Sequence, residues 1–155
     1  MTSLVEQLVA RYGMSAHEEG GSFIDLKNAR VAGKRDSSGA IYYHLACGQI
    51  SDFHVIDCDE YWAYIAGDTL ELWMVSPSGE LAVHALGVTE GAEPLVYIPT
   101  GTIFAARPSN DVTHEGTFLS CITVPRFHYE GWRIVDRIEL HALCPAALAF
   151  YEDAQ

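Results

Sequence analysis

Short runs rich in Tyr, Ile, Val, Trp and Leu alternate with clusters of Gly, Pro, Asp and Ser through most of this 155-residue chain. Apolar runs of this length, bounded by turn-forming residues, are typical of short β-strands. The runs cover residues 40–46, 49–56, 60–66, 70–75, 81–86, 95–98, 103–107 and 117–124. Eight strands at this spacing predict an all-β sandwich or barrel.

The two ends of the chain carry helical patterns instead. Ser3 followed by Glu6 is the pattern of a capping box at the start of a helix. The tail becomes helical again from Asp136 and is interrupted at Pro145. No internal repeat, low-complexity tract or long linker divides the chain, so residues 1–155 are expected to form a single domain.

Charge and cysteine spacing limit the partners and the compartment. The chain has 21 acidic and 9 basic residues and a formal charge of −12, so nucleic acid and anionic membranes are not expected as partners. It lacks an apolar run long enough to span a membrane, and its first residues do not resemble a signal peptide. No C-x-x-C pair occurs, which favours reduced thiols and a cytoplasmic location. The cysteines are Cys47, Cys58, Cys121 and Cys144.

The middle of the chain resembles the cupin superfamily, and within it a subfamily long catalogued as a domain of unknown function. The first cupin motif is matched by Gly48, His54, Ile56, Glu60 and Gly67, and the second by Pro99-Thr100-Gly101 followed by Ile103-Phe104. The subfamily pattern is matched by His17-Glu18-Glu19-Gly20-Gly21 and by Asp59-Glu60-Tyr61-Trp62. The resemblance implies a jelly-roll β-barrel with short terminal helices, often a homodimer, with a pocket inside the barrel.

Strand alternation then groups the candidate site residues. If His54 and Glu60 point into the barrel, as the resemblance implies, same-face neighbours point there with them. These neighbours are Asp52, Ile56, Trp62 and Tyr64. Such a wall is apolar with a few polar groups, which is typical of a small-molecule pocket.

The ligand count argues against a bound metal. Cupin metal sites typically use two His and a Glu from the first motif and a His from the second, but the second and fourth positions here are Ile56 and Phe104. His54 and Glu60 are fewer ligands than the three that a catalytic metal site usually has. We therefore expect no cofactor, with a metallo-cupin that uses His44, His54 and Glu60 as an alternative.

The chemistry expected without a metal is proton transfer, so the sequence predicts a metal-independent isomerase, epimerase or cyclase acting on a carbonyl or sugar-like small molecule. His54 is the expected base, Glu60 its partner or the acid, and Tyr64 or Tyr42 the opposing acid. The expected substrate-binding residues are Tyr42, His44, Asp52, Ile56, Trp62, Phe104 and Arg107. Arg35 and Arg107 are candidates for holding an acidic group, and His17 for fixing the glycine turn beside it. A cupin that binds a small ligand without turnover is the other alternative.

Overall fold

Two antiparallel β-sheets face each other in the computed structural model, which describes residues 1–26, 35–109, 111 and 113–152. The strands are β1 (Ser15–Ala16), β2 (Ser22–Asp25), β3 (Gly39–Leu45), β4 (Ser51–Ile56), β5 (Asp59–Gly67), β6 (Leu70–Val75), β7 (Leu81–Leu86), β8 (Leu95–Ile98), β9 (Ile103–Pro108), β10 (Thr117–Val124) and β11 (Trp132–Ile134). The helices are α1 (Leu4–Tyr12), α2 (Arg137–Leu143) and α3 (Ala149–Glu152), with 3-10 turns at Tyr129–Gly131 and Pro145–Leu148.

The sheet order confirms the predicted all-β jelly-roll. One sheet has the order β1-β2-β3-β10-β5-β8 and the other β11-β4-β9-β6-β7. Each of the eight predicted strands is present, with ends that differ from the prediction by at most two residues. The strands β1 and β11 were not predicted because they have only 2 and 3 residues, and β2 was not predicted because its sequence, SFID, contains no continuous apolar run of strand length.

Helices cover the outer faces of both sheets. The predicted capping box is confirmed at the start of α1, where the Glu6 amide donates to the Ser3 hydroxyl at 3.1 Å and the Ser3 amide donates to the Glu6 carboxylate at 3.0 Å. This helix packs with Phe118 on the outer face of the six-stranded sheet. At the other end of the chain, Phe150 packs with Phe53 on the outer face of the five-stranded sheet.

The core between the sheets leaves one end of the barrel open. Tyr43, Trp62, Leu72, Phe104 and Leu119 are buried there among other apolar side chains. A cavity lies at the end where β3 and β5 begin and β4 and β10 end, because its lining residues come from those parts of the four strands. None of the helices within the described ranges is long and apolar enough to span a membrane.

Candidate functional site

The cavity has a volume of about 760 Å³ and combines apolar walls with a cluster of ionisable groups. Its apolar and aromatic walls include Phe23, Ile41, Ile56, Phe127 and Tyr129. The ionisable cluster consists of His17, Glu19, His54 and Glu60. A concave apolar pocket with a few convergent polar groups is the arrangement expected of a small-molecule site.

His54 is held by acceptors at both ring nitrogens. Its Nδ1 lies 2.7 Å from the backbone carbonyl oxygen of Asp52, and its Nε2 lies 3.0 Å from Oε2 of Glu19. A carbonyl oxygen only accepts, so Nδ1 carries a proton. Burial opposes a charge on the ring, but the Glu19 carboxylate outweighs it and raises the pKa of His54 above its ordinary value. The ring is therefore held as an imidazolium paired with Glu19.

The same pairing keeps Glu19 ionised although it is buried. Burial alone favours the neutral acid, but the charge of His54 and its hydrogen bond lower the pKa of Glu19 below the ordinary value. The indole N–H of Trp132 lies beside the carboxylate and acts in the same direction, although it makes no hydrogen bond of full geometry within the described residues. Glu19 is thus a fixed negative charge at the floor of the cavity.

Glu60 behaves differently because no cation among the described residues forms a close ion pair with it. Its exposed fraction is only 7 %, and burial together with the negative charge of Glu19 raises the pKa of Glu60 to about 7. The indole N–H of Trp62 and the charge of His54 act in the opposite direction but are outweighed. At neutral pH the Glu60 carboxyl is therefore divided between its acid and its carboxylate form, which suits a group that takes up and releases a proton.

A glycine turn places Glu19 and His17 in the cavity. The backbone N–H of Glu19 donates to Nδ1 of His17 at 3.2 Å, and burial lowers the pKa of His17, so that its ring is neutral. Gly20 has a φ of +115°, and a Cβ at this position would lie 1.9 Å from the carbonyl oxygen of Ile50. Only glycine permits this conformation and this close approach.

Salt bridges border the mouth of the cavity. The Arg35 guanidinium donates to both carboxylate oxygens of Asp57, at 2.9 and 3.2 Å. Arg126, which follows β10, is paired with Asp25 at the end of β2. Both arginines line the cavity, but their charges are already engaged with carboxylates.

Some of the predicted site residues do meet at the cavity. His54, Ile56 and Glu60 line it. Phe104 and Trp62 lie behind them in the core, and the Phe104 ring centroid is 4.1 Å from that of His54. The hydrogen bond partner of the His54 Nε2 is Glu19, whereas we expected Glu60 in that place.

The other predicted residues lie elsewhere. The Tyr64 hydroxyl donates to the carbonyl oxygen of Gly67 at 2.7 Å, near the opposite end of β5, so the structure does not bring Tyr64 to the acid-base groups. Tyr42 lies on the outer face of the six-stranded sheet, where its ring contacts Tyr12 of α1. His44 shares that face, and a ring nitrogen lies 3.3 Å from the Glu115 carbonyl oxygen.

Asp52 and Arg107 take structural positions below the C-terminal helices. The Asp52 carboxylate accepts a hydrogen bond from the Tyr151 hydroxyl at 2.5 Å, while its backbone carbonyl holds His54. The Arg107 guanidinium donates to Glu71 at 2.7 Å and lies over the ring of Phe150. Neither side chain is among the described residues that line the cavity.

Glu19 is the central residue that the sequence reasoning did not select. It stands inside the His17-Glu18-Glu19-Gly20-Gly21 motif, so a signal was present in the sequence. The motif alone does not show that this loop folds back onto β4. The backbone hydrogen bond from the Asp52 amide to the Glu19 carbonyl, at 2.9 Å, makes that connection.

The donor set does not fit the metal centre that is typical of cupins. Ile56 and Phe104 occupy two ligand positions and have no lone pair to offer. His44 lies on the outer face of its sheet, so the alternative set of His44, His54 and Glu60 is not assembled. Within the described residues, no group of three or more His, Cys, Asp or Glu side chains is arranged to hold a metal ion.

Comparison with known proteins places this architecture in a family. No curated protein matches the chain. Among solved structures, protein SO0799 from Shewanella oneidensis is 26% identical, with a TM-score of 0.85 over 100% of this chain and 98% of that one. A hypothetical protein from Leishmania major is 23% identical, with a TM-score of 0.84 over 97% and 98% of the two chains.

More distant structures share the fold alone. Oxalate decarboxylase from Bacillus subtilis is 16% identical, with a TM-score of 0.61 over 77% of this chain and 29% of that one. The family model described as "Cupin superfamily (DUF985)" matches residues 6–135. This match covers most of the chain, and the protein belongs to the cupin superfamily, in the family designated DUF985.

Proposed function

We propose that this cupin is a small-molecule enzyme that moves a proton at a carbon next to a carbonyl group, as an isomerase, epimerase or cyclase does. The observation that carries the proposal is Glu60, a carboxyl group with a pKa of about 7 in the wall of an apolar cavity. Perturbed carboxyl groups in clefts occur preferentially at catalytic sites. This chemistry needs no metal ion, and two of the usual cupin ligand positions are Ile56 and Phe104, which cannot bind one.

The proposed reaction uses Glu60 alone as proton carrier. The Glu60 carboxylate removes a proton from the carbon, the C–H electron pair moves into the carbonyl group to form an enolate, and the protonated Glu60 returns the proton to another carbon or to the other face. The reaction consumes no oxidant, reductant or water. A pKa near the working pH favours both halves of such a cycle.

His54 takes a different role from the base expected from the sequence. A ring with acceptors at both nitrogens has no lone pair with which to take up a proton. We assign it instead as a fixed positive charge near Glu60, which favours the carboxylate form of that residue. In this proposal His54 positions charge and Glu60 transfers the proton.

Proton exchange provides the test because it does not require the natural substrate. We expect the protein in D₂O to accelerate the exchange of hydrogens next to the carbonyl of a panel of small ketones, followed by NMR. The rate should rise with pH through about 7, because the carboxylate is the active form. The Glu60→Gln variant should lose the acceleration, and Glu80→Gln, an exposed carboxyl group on a turn, should keep it. Equal rates for Glu60→Gln and the unmodified protein would contradict the proposal.

Ligand binding without turnover is the second candidate function. The observation that favours it is the double engagement of the His54 ring, which leaves Glu60 without a second proton-transfer group that contacts it among the described residues. Tight binding of ketones without any proton exchange would support this second function.

The homodimer and the cytoplasmic location expected from the sequence stay predictions. Light scattering after size-exclusion chromatography tests whether the protein is a homodimer.

A further inference from the structure

Each positively charged group among the described cavity-lining residues already has a carboxylate partner. The pairs are Arg35 with Asp57, Arg126 with Asp25 and His54 with Glu19, and the His128 ring lies 2.8 Å from the Glu130 carboxylate. His17 adds no charge, because burial keeps its ring neutral. Among these residues, an anionic ligand therefore finds no cation that lacks a counter-ion, and it must break one of the pairs or remain uncompensated.

The floor of the cavity also disfavours an anion. Glu19 is a buried carboxylate whose charge is balanced by His54. A second negative charge near this pair would face Glu19 and would also oppose ionisation of Glu60. A neutral ligand meets neither cost, because it brings no net charge to this pair.

The walls provide contacts for an apolar body of moderate size. Phe23, Ile41, Ile56, Phe127 and Tyr129 line a cavity of about 760 Å³. Burial of apolar ligand surface against such side chains is favourable by roughly 25 cal/mol per Å². The protonated form of the Glu60 carboxyl, which is only 7 % exposed, offers one hydrogen bond donor to a carbonyl oxygen on such a body. The carboxylate form has no proton to donate and is the form that removes a proton in the proposed reaction.

We infer that the cavity takes uncharged, largely apolar or aromatic molecules that carry a carbonyl group, and that it rejects carboxylates and phosphates. The inference rests on the proposed function, because it names the substrate class of the same site.

Three probes that share a naphthalene ring test this selectivity on the full chain. The probes are 2-acetonaphthone, a neutral ketone; 2-naphthoate, an anion; and 2-ethylnaphthalene, which lacks a carbonyl group. We expect titration calorimetry at pH 7 to give the tightest binding for 2-acetonaphthone. Naphthoate should bind about ten-fold more weakly or worse, because its charge is uncompensated, and 2-ethylnaphthalene about ten-fold more weakly, because it loses the hydrogen bond. Naphthoate that binds as well as the ketone, or no binding by any probe, would overturn the inference.

Variants of Glu60 and Asp25 test which residues cause the preference for the neutral ketone over naphthoate. Glu60→Gln keeps an N–H donor, so its affinity for 2-acetonaphthone should be within a few-fold of that of the unmodified protein. Glu60→Leu has no donor at this position, so it should bind 2-acetonaphthone and 2-ethylnaphthalene with equal affinity. Asp25→Asn removes a carboxylate partner from Arg126 and should increase the affinity for naphthoate. Unchanged naphthoate binding by Asp25→Asn, or full ketone preference in Glu60→Leu, would contradict the inference.

Deuterium exchange in the same samples separates the inference from the proposed function. Selective binding of 2-acetonaphthone without exchange at its acetyl hydrogens contradicts the proposed catalysis and leaves the selectivity standing. Preferred binding of naphthoate contradicts the selectivity, whatever the exchange shows. Exchange of 2-acetonaphthone hydrogens that is lost in Glu60→Gln supports both.

Discussion

One carboxylate, Glu19, sets the charge on both of its ionisable neighbours. It raises the pKa of His54, which favours the imidazolium, and it raises the pKa of Glu60, which favours the neutral acid. The spacing of the cupin-like motif was sufficient to select His54 and Glu60 from the sequence. It was not sufficient to find Glu19, because the contact joins residues 35 positions apart and depends on how the Gly20 turn folds.

Removal of the Glu19 charge should lower the pKa of both neighbours. In Glu19→Gln, burial at His54 is opposed only by the Asp52 carbonyl and by Glu60, so the pKa of His54 should fall and its neutral form should be favoured at pH 7. NMR titration of the imidazole nitrogens measures this change directly. The control is Glu18→Gln, an exposed neighbour in the same turn, which should leave the His54 titration nearly unchanged. A His54 titration in Glu19→Gln that matches the unmodified protein would contradict this assignment of charges.

Strand alternation shows which residues share a face but does not show which face is the interior. Both faces of both sheets are partly buried here, because α1 covers one sheet and the C-terminal helices cover the other. From the sequence alone, Tyr42, His44 and Arg107 therefore cannot be distinguished from residues that point into the barrel. A register shift between Phe118 and Leu119 adds to this, because Ala66 packs on the outer face although simple alternation would place it on the inner face with Trp62.

The glycine turn between β1 and β2 should be critical for the site. Gly20→Ala places a Cβ against the Ile50 carbonyl oxygen at a φ of +115°, so we expect a loss of several kcal/mol of stability or displacement of Glu19. Gly48→Ala is the matched control, because Gly48 also has a positive φ, of +80°, but its Cβ would have nothing within 4 Å. The control should cost only about 1 kcal/mol.

Urea unfolding of the two variants measures the difference. A Gly20→Ala protein as stable as Gly48→Ala, with its His54 titration unchanged, would show that the turn does not hold Glu19 in place. Both positions have a positive φ, so the difference in stability between the two variants reports mainly the close approach of the Cβ at position 20 to Ile50.

At the scale of the whole molecule, the buried acid makes stability depend on pH. The pKa of Glu60 is raised in the folded state, to about 7 from 4.5, so its contribution is fully present below pH 4.5 and is lost as the pH rises through 7. The loss is about 3 kcal/mol for a shift of this size.

The Glu60→Gln variant should lack this loss. Between pH 4.5 and pH 8, its free energy of unfolding should improve relative to the unmodified protein by about 3 kcal/mol, because glutamine does not ionise. Urea unfolding at the two pH values gives the difference, and Glu80→Gln is the exposed control. A constant difference between the two proteins at both pH values would mean that Glu60 titrates as an ordinary carboxyl group.

The proposed proton transfer depends most directly on the ionisation of Glu60 itself. An NMR titration of the protein with ¹³C-labelled glutamate carboxyl groups follows each acid separately, and the spectrum of Glu60→Gln identifies the Glu60 signal by its absence. We expect the titration of this signal to have its midpoint at about pH 7. A midpoint near the ordinary value of 4.5 would contradict the proposal, because Glu60 would then be a permanent carboxylate at neutral pH.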